Sequence, residues 1–441
     1  MHIYFSGIGG TGIGPLSLIA HQAGYDVSGS DKQHSIYIDY LKKHGVDDVH
    51  IGQSYAQIAE VHAQRPIDWF VYSSAVVKEQ GDLPEELRFC QEHGIRATRR
   101  DELLNEIISQ QGLKLVAIAG THGKTTTTAM AVWLFQRLGI PESHSVAAKM
   151  GFAEMGSFTP GSEYFIYEAD EYDRNFLAFH PHISIITGLD WDHADIYPTR
   201  DIYNQAFVEF LNQSQQAIMW DDDEARLGTG LTVQRRILSK QGQAGLEQLT
   251  LAGKVNREDA LEVAAAVETL TGKPLGELIT HLNTFPGVGR RFERIAPNIY
   301  SDYAHTPPKI RGALQMAHEL SGDNVVVVYE GLHNTRQHFI KDELANLFAG
   351  VKHLYIVPSY LAREDTSLAL LSPEDLKKLM QSDIQAYTDP ASLDDALAGK
   401  IRKHASSGDL VLCISAGGGN SLDEWVRRQF LPAGTPEAPE A

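Results

Sequence analysis

The stretch VAIAGTHGKTTTTAM, Val116 to Met130, limits what this chain can fold into more than any other part of it. An apolar strand runs into a glycine turn, a lysine follows, and four threonines open a helix. That order belongs to an α/β unit, in which ligands sit at the C-terminal edge of an open sheet. Backbone N–H groups and Lys124 would hold the β- and γ-phosphates of a nucleotide, and the Thr125 hydroxyl would hold Mg²⁺. Gly120, Thr121, His122, Gly123 and Thr126 complete the loop. The loop is a shortened form: the spacing G-x-x-x-x-G-K-[ST] wants glycine where Ile118 stands, and the nearer glycine is Gly120.

Around this loop, strand-like and helix-like segments alternate almost throughout, the pattern of parallel sheets covered by helices. The fold class is α/β. A first set of units runs over residues 1–112 and closes on the helical RRDELLNEIISQQG, with a polar break at Gln110, Gln111 and Gly112. A second runs over 113–291 and ends at NTFPGVGRR, where Pro286 and two glycines interrupt a helix-forming stretch. A third covers 292–441, with NVVVVYEG, HLYIVPSY and GDLVLCISAGGGN as strands, and its last residues, about 431–441, read as a frayed Pro/Ala/Glu tail. At 441 residues with 43% hydrophobic and 22% charged, the chain can bury several cores.

Charge and cysteine content narrow the partners. The net charge of -19, with no long run of Lys or Arg, argues against a nucleic-acid backbone. Cys90 and Cys413 are the two cysteines and offer neither a disulfide framework nor zinc spacing, which fits a reducing compartment. Met1 leads directly into a strand and no apolar run approaches eighteen residues, so we expect a cytoplasmic protein without membrane insertion.

A second glycine turn lies at SGIGGTGIG. Gly7, Gly9 and Gly12 fit G-x-G-x-x-G after a strand, Gly10 sits among them, and YDVSGSD supplies a second strand ending in Asp31. The context is Rossmann-type: a pyrophosphate at a helix N-terminus and a ribose on Asp31. NAD(P) and a nucleotide-sugar remain equally open from these residues alone. Past the phosphate loop, EYFIYEADEYD crowds Glu168, Asp170, Glu171 and Asp173 onto a strand end, where mutual repulsion calls for nearby cations. ISIITGLDWDHADIY then brings Asp192, His193 and Asp195 to the end of another strand, with His193 a candidate second metal ligand beside a packing or surface role.

The ordered motifs GTHGKTTTT, EADEYDRNFL, DWDHADIY, GRRFE and SDYAHTP, behind a glycine-rich N-terminal unit, resemble the Mur ligase family of ATP-dependent amide-forming enzymes of peptidoglycan synthesis. The resemblance spans nearly the whole chain. It implies an N-terminal Rossmann-like domain for the UDP-sugar, a central P-loop ATPase-like parallel sheet with helices for ATP, and a C-terminal Rossmann-like ligase domain. Two phosphorylated substrates then explain two glycine turns. The implied reaction phosphorylates the carboxylate of UDP-N-acetylmuramate, and an amine attacks the acyl phosphate; Mg²⁺ and cationic groups stabilise the charge. Carried onto this chain, the family pattern gives Lys124, Glu168, His193 and Arg336 catalytic roles, Thr125 and Glu168 one Mg²⁺, and His193 a second. It gives Asn256 the adenine, and Arg291 and Asp302 the phosphates and ribose. The first glycine turn, Asp31, Ser73 and Ser74 of YSSAV would hold the UDP-sugar.

L-Alanine is the favoured amine, from GIGGTGIG, SGSD, RRDELL and NTRQ. Several positions depart from the alanine pattern: Val255 and Asp259 replace a histidine and an asparagine around Asn256, His333 replaces an arginine, and Ser301 and Thr306 alter SDYAHTP. A preformed L-Ala-D-Glu-diaminopimelate tripeptide is the alternative amine. Outside the family, Gly7, Gly9, Gly12 and Asp31 leave an NAD-dependent dehydrogenase as a further reading, one that gives Lys124 and Glu168 nothing to do. A monomer and a homodimer are both compatible with the sequence.

Overall fold

The computed structural model describes residues 1–431 except Thr11, 74–75, 77–82, 194–195 and 362–363. Ser74, Asp195 and the tail from residue 432 therefore lie outside the described residues. Three sheets carry the chain. The first is built from β1 (His2–Ser6), β2 (Asp26–Asp31), β3 (Val49–Ile51), β4 (Trp69–Tyr72) and β5 (Arg96–Arg99), in the order β3-β2-β1-β4-β5. All its pairings are parallel. The order reverses at β1, so the turn that follows Ser6 opens into the crevice where α/β sheets bind ligands.

The second sheet comprises β6 (Lys114–Ala119), β7 (Glu142–Ser145), β8 (Gly156–Ser157), β9 (Tyr164–Glu168), β10 (Ile183–Ile186), β11 (Gln216–Trp220) and β12 (Gln234–Leu238). Its order is β12-β11-β10-β6-β9-β7-β8, parallel except for the antiparallel pair β7–β8 at one edge. Here β6 lies between β10 and β9, and the register sets Ile118 opposite Glu168. Glu168 is thereby delivered to the side of the phosphate loop by strand pairing alone.

The third sheet holds β13 (Glu293–Ala296), β14 (Ile299–Asp302), β15 (Val325–Leu332), β16 (His353–Tyr360), β17 (Thr388–Pro390) and β18 (Leu410–Ile414), ordered β13-β14-β18-β15-β16-β17. β13–β14 is antiparallel and the rest parallel. The run of valines in β15 is apolar on both faces because helices cover both: Val325 and Val327 belong to one core, Val326 and Val328 to the other. The chain divides into two compact units: Met1–Leu249 with Glu258–Phe285, holding the first two sheets, and Thr250–Arg257 with the chain from Pro286, holding the third. In the first unit one continuous core joins Ile3 and Phe5 of β1 to Leu115 and Ala117 of β6. Among the described residues no helix is long and apolar enough to cross a membrane.

Candidate active site

The phosphate loop is shaped by its glycines. Gly120 has φ +142°, and a Cβ there would meet Thr187 Oγ1 at 2.6 Å and the Gly188 carbonyl at 2.9 Å. Gly123, at φ +80°, caps the helix Lys124–Arg137 in the left-handed conformation, and its missing Cβ leaves 2.8 Å to Asp259 Oδ2. Side chains at either place would be strained and would clash. Beyond the turn, the Thr127 and Thr128 hydroxyls donate to the carbonyls four residues back, Gly123 at 3.0 Å and Lys124 at 2.7 Å, which satisfies these buried hydroxyls within the helix.

Lys124 donates from Nζ to the Gly120 carbonyl and to Glu171 Oε2, both at 2.6 Å. Glu171 is 1% exposed in its side chain and His193 Nε2 stands 3.4 Å from its other oxygen. Burial pushes the Glu171 carboxyl up, but Lys124 and His193 outweigh it and hold it down to about 2. Thr125 Oγ1 donates to Glu168 Oε1 at 2.8 Å, while the Ala147 N–H donates to Glu168 Oε2 at 3.0 Å. A hydroxyl and a carboxylate brought together beside a lysine suit a phosphate with a hard divalent cation, which takes oxygen ligands. His193 faces Glu171, and among the described residues no group of three or more His, Cys, Asp or Glu is assembled as a metal site.

The remaining loop residues serve the turn. Thr121 is buried, its hydroxyl bonded to the Asp190 carbonyl at 2.6 Å and to Tyr203 Oη at 2.7 Å. The His122 carbonyl accepts from Thr187 Oγ1, and Thr126 is half-buried on the first turn of the helix.

The acidic turn after β9 has the counter-charges its crowding calls for, and two of them come from the RRDELL segment. Arg99 meets Asp173 at 2.5 Å and Arg100 meets Asp170 at 3.5 Å. Neither arginine was among the expected site residues; a cation pair at the C-terminal end of a strand, β5, was the available signal.

Around the first glycine turn, the Gly7 and Ile8 N–H groups donate to the Ser30 carbonyl at 2.8 and 2.9 Å, and the Gly10 N–H to the Gly7 carbonyl at 3.0 Å. Asp31 Oδ2 accepts from the Gly9 N–H at 2.9 Å, so the carboxylate expected on a ribose ties down the turn itself. Ser73 is half-buried just past β4. Gly12 faces a cavity of about 230 Å³ whose other walls include Arg100, Asp101, Tyr167, Glu168 and Asp170. That cavity joins the glycine turn to the carboxylate that holds Thr125.

In the second unit the predicted residues gather around β14. Asp302 is buried and accepts from the Phe292 and Ala304 N–H groups, both at 2.7 Å; burial raises its carboxyl against the pull of Arg291 and Lys309. Arg291 lies over the Tyr303 ring at 4.8 Å. Burial and the charges of Lys309, Arg336 and Arg291 lower His305 to about 3, so this ring is neutral among cations. Lys309 joins this group without having been singled out in the sequence. Asn256 donates to the Ala252 carbonyl at 2.8 Å and Val255 is exposed. The Ser301 hydroxyl donates to Asp423 at 2.5 Å. Positive φ at Asp173, Arg174, His193, Arg290, Phe292 and His333 puts strained non-glycine backbone beside the expected site residues in both units.

Comparisons with known proteins match three successive segments of the chain. Residues 2–111 match the model of the Mur ligase family, catalytic domain; residues 118–263 match the Mur ligase middle domain; and residues 290–417 match the Mur ligase, glutamate ligase domain. A UDP-N-acetylmuramate–L-alanine ligase of Solibacter usitatus is 28% identical over 469 residues, covering 98% of this chain and 96% of that protein. One from a Nocardioides species is 29% identical over 433 residues, covering 94% and 93%. Among solved structures, the UDP-N-acetylmuramate-alanine ligase of Thermotoga maritima superposes with a TM-score of 0.72 at 23% identity, covering 98% of both chains. A murein peptide ligase from Psychrobacter arcticus gives 0.62 at 24%, covering 97% of this chain and 98% of the other.

Proposed function

The chain belongs to the Mur ligase family of ATP-dependent acid–amino acid ligases of peptidoglycan synthesis, and we propose that it joins L-alanine to the carboxylate of UDP-N-acetylmuramate. The observation that carries the chemistry is the meeting of Lys124, Thr125, Glu168 and Glu171 at the end of β6. The names of the relatives support the choice of amine. Family membership sets the dehydrogenase reading aside.

In this reading the Lys124 ammonium leaves Glu171 to meet the terminal phosphates of ATP, and the N–H groups of the turn hold their oxygens. Thr125 and Glu168 would hold one Mg²⁺ and His193 a second, and these ions would neutralise charge on the transferring phosphoryl group. Glu171, ionised and buried, keeps Lys124 charged and aimed. Asn256, Arg291 and Asp302 hold the rest of the nucleotide, and Arg336 faces the amino acid. Gly7, Gly9, Gly10, Gly12, Asp31 and Ser73, with Ser74, hold the UDP-sugar. The domain limits 1–112, 113–291 and 292–441 belong to the same proposal.

A tripeptide amine is the second reading. It is favoured by Thr306, whose buried hydroxyl has no hydrogen-bond partner at the position where the alanine pattern has histidine. Phosphate release with ATP, Mg²⁺ and UDP-N-acetylmuramate, adding L-alanine, glycine, L-serine or the tripeptide in turn, decides between them. Release dependent on L-alanine is expected. Release only with tripeptide moves the chain to the second reading, and the absence of release with every amine overturns both.

A further inference from the structure

Arg100 takes no part in the loop chemistry, yet among the described residues it is the one cationic side chain lining the cavity between the glycine turn and Glu168. It opens the helix Arg100–Gln110 directly after β5. Its guanidinium fills the place a side chain at position 12 would take: a Cβ on Gly12 would stand 2.4 Å from Nη1. A side chain at position 12 would therefore force the guanidinium to move, and glycine there leaves Arg100 its place.

The guanidinium is loosely held. Its partners Asp101 and Asp170 both stand at 3.5 Å, beyond ordinary N–H···O length, whereas Arg99 next to it closes on Asp173 at 2.5 Å. Asp101 is also taken up by the Tyr167 hydroxyl at 3.2 Å. A guanidinium has five N–H donors in a planar fork that matches phosphate and carboxylate oxygens. Asp101, Glu168 and Asp170 line the same cavity among neutral residues, so among its described side chains Arg100 is the one whose charge attracts an entering anion. The glycine turn, SGIGGTGIG, has no cation of its own to offer a diphosphate.

We propose that Arg100 is a substrate-binding residue whose guanidinium takes anionic oxygens of the sugar nucleotide, from the diphosphate or the lactyl carboxylate, and so aims its reacting end at Thr125 and Glu168. The assignment rests on UDP-N-acetylmuramate being the substrate. Structurally it makes Gly12 and Arg100 one device: the glycine yields the space and the arginine supplies the charge.

Steady-state phosphate release by Arg100→Gln and Arg100→Lys tests it. The expected result for Arg100→Gln is a KM for UDP-N-acetylmuramate raised about tenfold to a hundredfold, the range for a lost charge-assisted hydrogen bond. The KM for ATP should stay within about twofold, and Arg100→Lys should recover part of the loss. An unchanged KM for the sugar nucleotide overturns the assignment; so does an equal rise in both KM values with a lowered melting temperature, the mark of a purely structural arginine. Calorimetric titration without ATP or amine separates the assignment from its premise. A wild-type protein that binds no UDP-N-acetylmuramate sinks the substrate reading and the assignment together, while equal binding by wild type and Arg100→Gln sinks the assignment alone. UDP-N-acetylglucosamine, which has the diphosphate but no lactyl carboxylate, identifies the oxygens. Equal weakening for both sugar nucleotides assigns the diphosphate, and weakening confined to UDP-N-acetylmuramate assigns the carboxylate.

Discussion

β1 and β6 each run between a parallel strand on either side, and each ends in a glycine turn that leads into a helix. After β6 the cation is local: Lys124 follows Gly123 and is paired with Glu171 at 2.6 Å. After β1 the turn has none, and the helix that follows opens with Gly14 and Pro15. Its cation is Arg100, brought from the end of β5. The buried carboxyls differ in the same sense. Glu171 is held ionised by Lys124, whereas Glu86 accepts, among the described residues, from the neutral hydroxyls of Tyr4, Ser6 and Ser30 at 3.0, 2.5 and 2.6 Å, and burial raises it. One architecture therefore serves two electrostatic designs, a charged loop that grips and a neutral turn that receives.

Removing the local cation should break the first design and spare the second. Lys124→Ala is expected to lower kcat for phosphate release by roughly a thousandfold, the scale of losing one preorganised charge-stabilising donor. It should also cost about 3 kcal/mol of stability in urea denaturation, because Glu171 stays buried with its main partner gone. Binding of UDP-N-acetylmuramate should survive. If phosphate release stays within tenfold of wild type, the two turns do not divide the work in this way.

The carboxyls give opposite slopes against pH. Glu171 sits at about 2, below its ordinary 4.5, so its contribution is present above 4.5 and is lost as pH falls toward 2. The difference corresponds to about 3 kcal/mol. Glu86 is raised, so its contribution is complete below 4.5 and shrinks as pH rises through its folded value. In metal-free protein, the stability deficit of Glu171→Gln should be largest near neutral pH and narrow toward acid. Glu86→Gln should instead gain on wild type as pH rises above 4.5. Parallel slopes for the two variants, measured by urea denaturation across pH, would remove the contrast.

What could be read in the sequence follows the same line. The α/β class and both glycine turns were legible because strand, turn and helix are contiguous, and Thr125 and Glu168 meet because parallel pairing brings strand ends to one edge. Arg100 carried one signal, its place at the end of β5, while its approach to Gly12 is set by tertiary packing that no contiguous motif records. Asp31 was legible by its position after β2, whereas its hydrogen bond from the Gly9 N–H was not, because a short acidic side chain beside a turn also satisfies backbone N–H groups. The antiparallel pairs β7–β8 and β13–β14 escaped because two- and four-residue strands leave little periodicity to read.

The smallest expected effects come from adding one methyl group to each turn. Gly123→Ala meets both a left-handed backbone at φ +80° and Asp259 Oδ2 at 2.8 Å, and it should cost about 2 kcal/mol of stability. For Gly12→Ala the atom in the way is the end of a flexible arginine side chain, which can swing aside. Its stability should stay within about 1 kcal/mol of wild type. The methyl group then acts on function alone, because Arg100 is displaced but remains charged. The KM for UDP-N-acetylmuramate should rise while that for ATP does not. A Gly12→Ala protein that is strongly destabilised with an unaltered sugar-nucleotide KM would mean that this turn, like the one after β6, is glycine for the sake of its own backbone. The division between a turn that carries its charge and a turn that makes room for one would then fail at its most specific point.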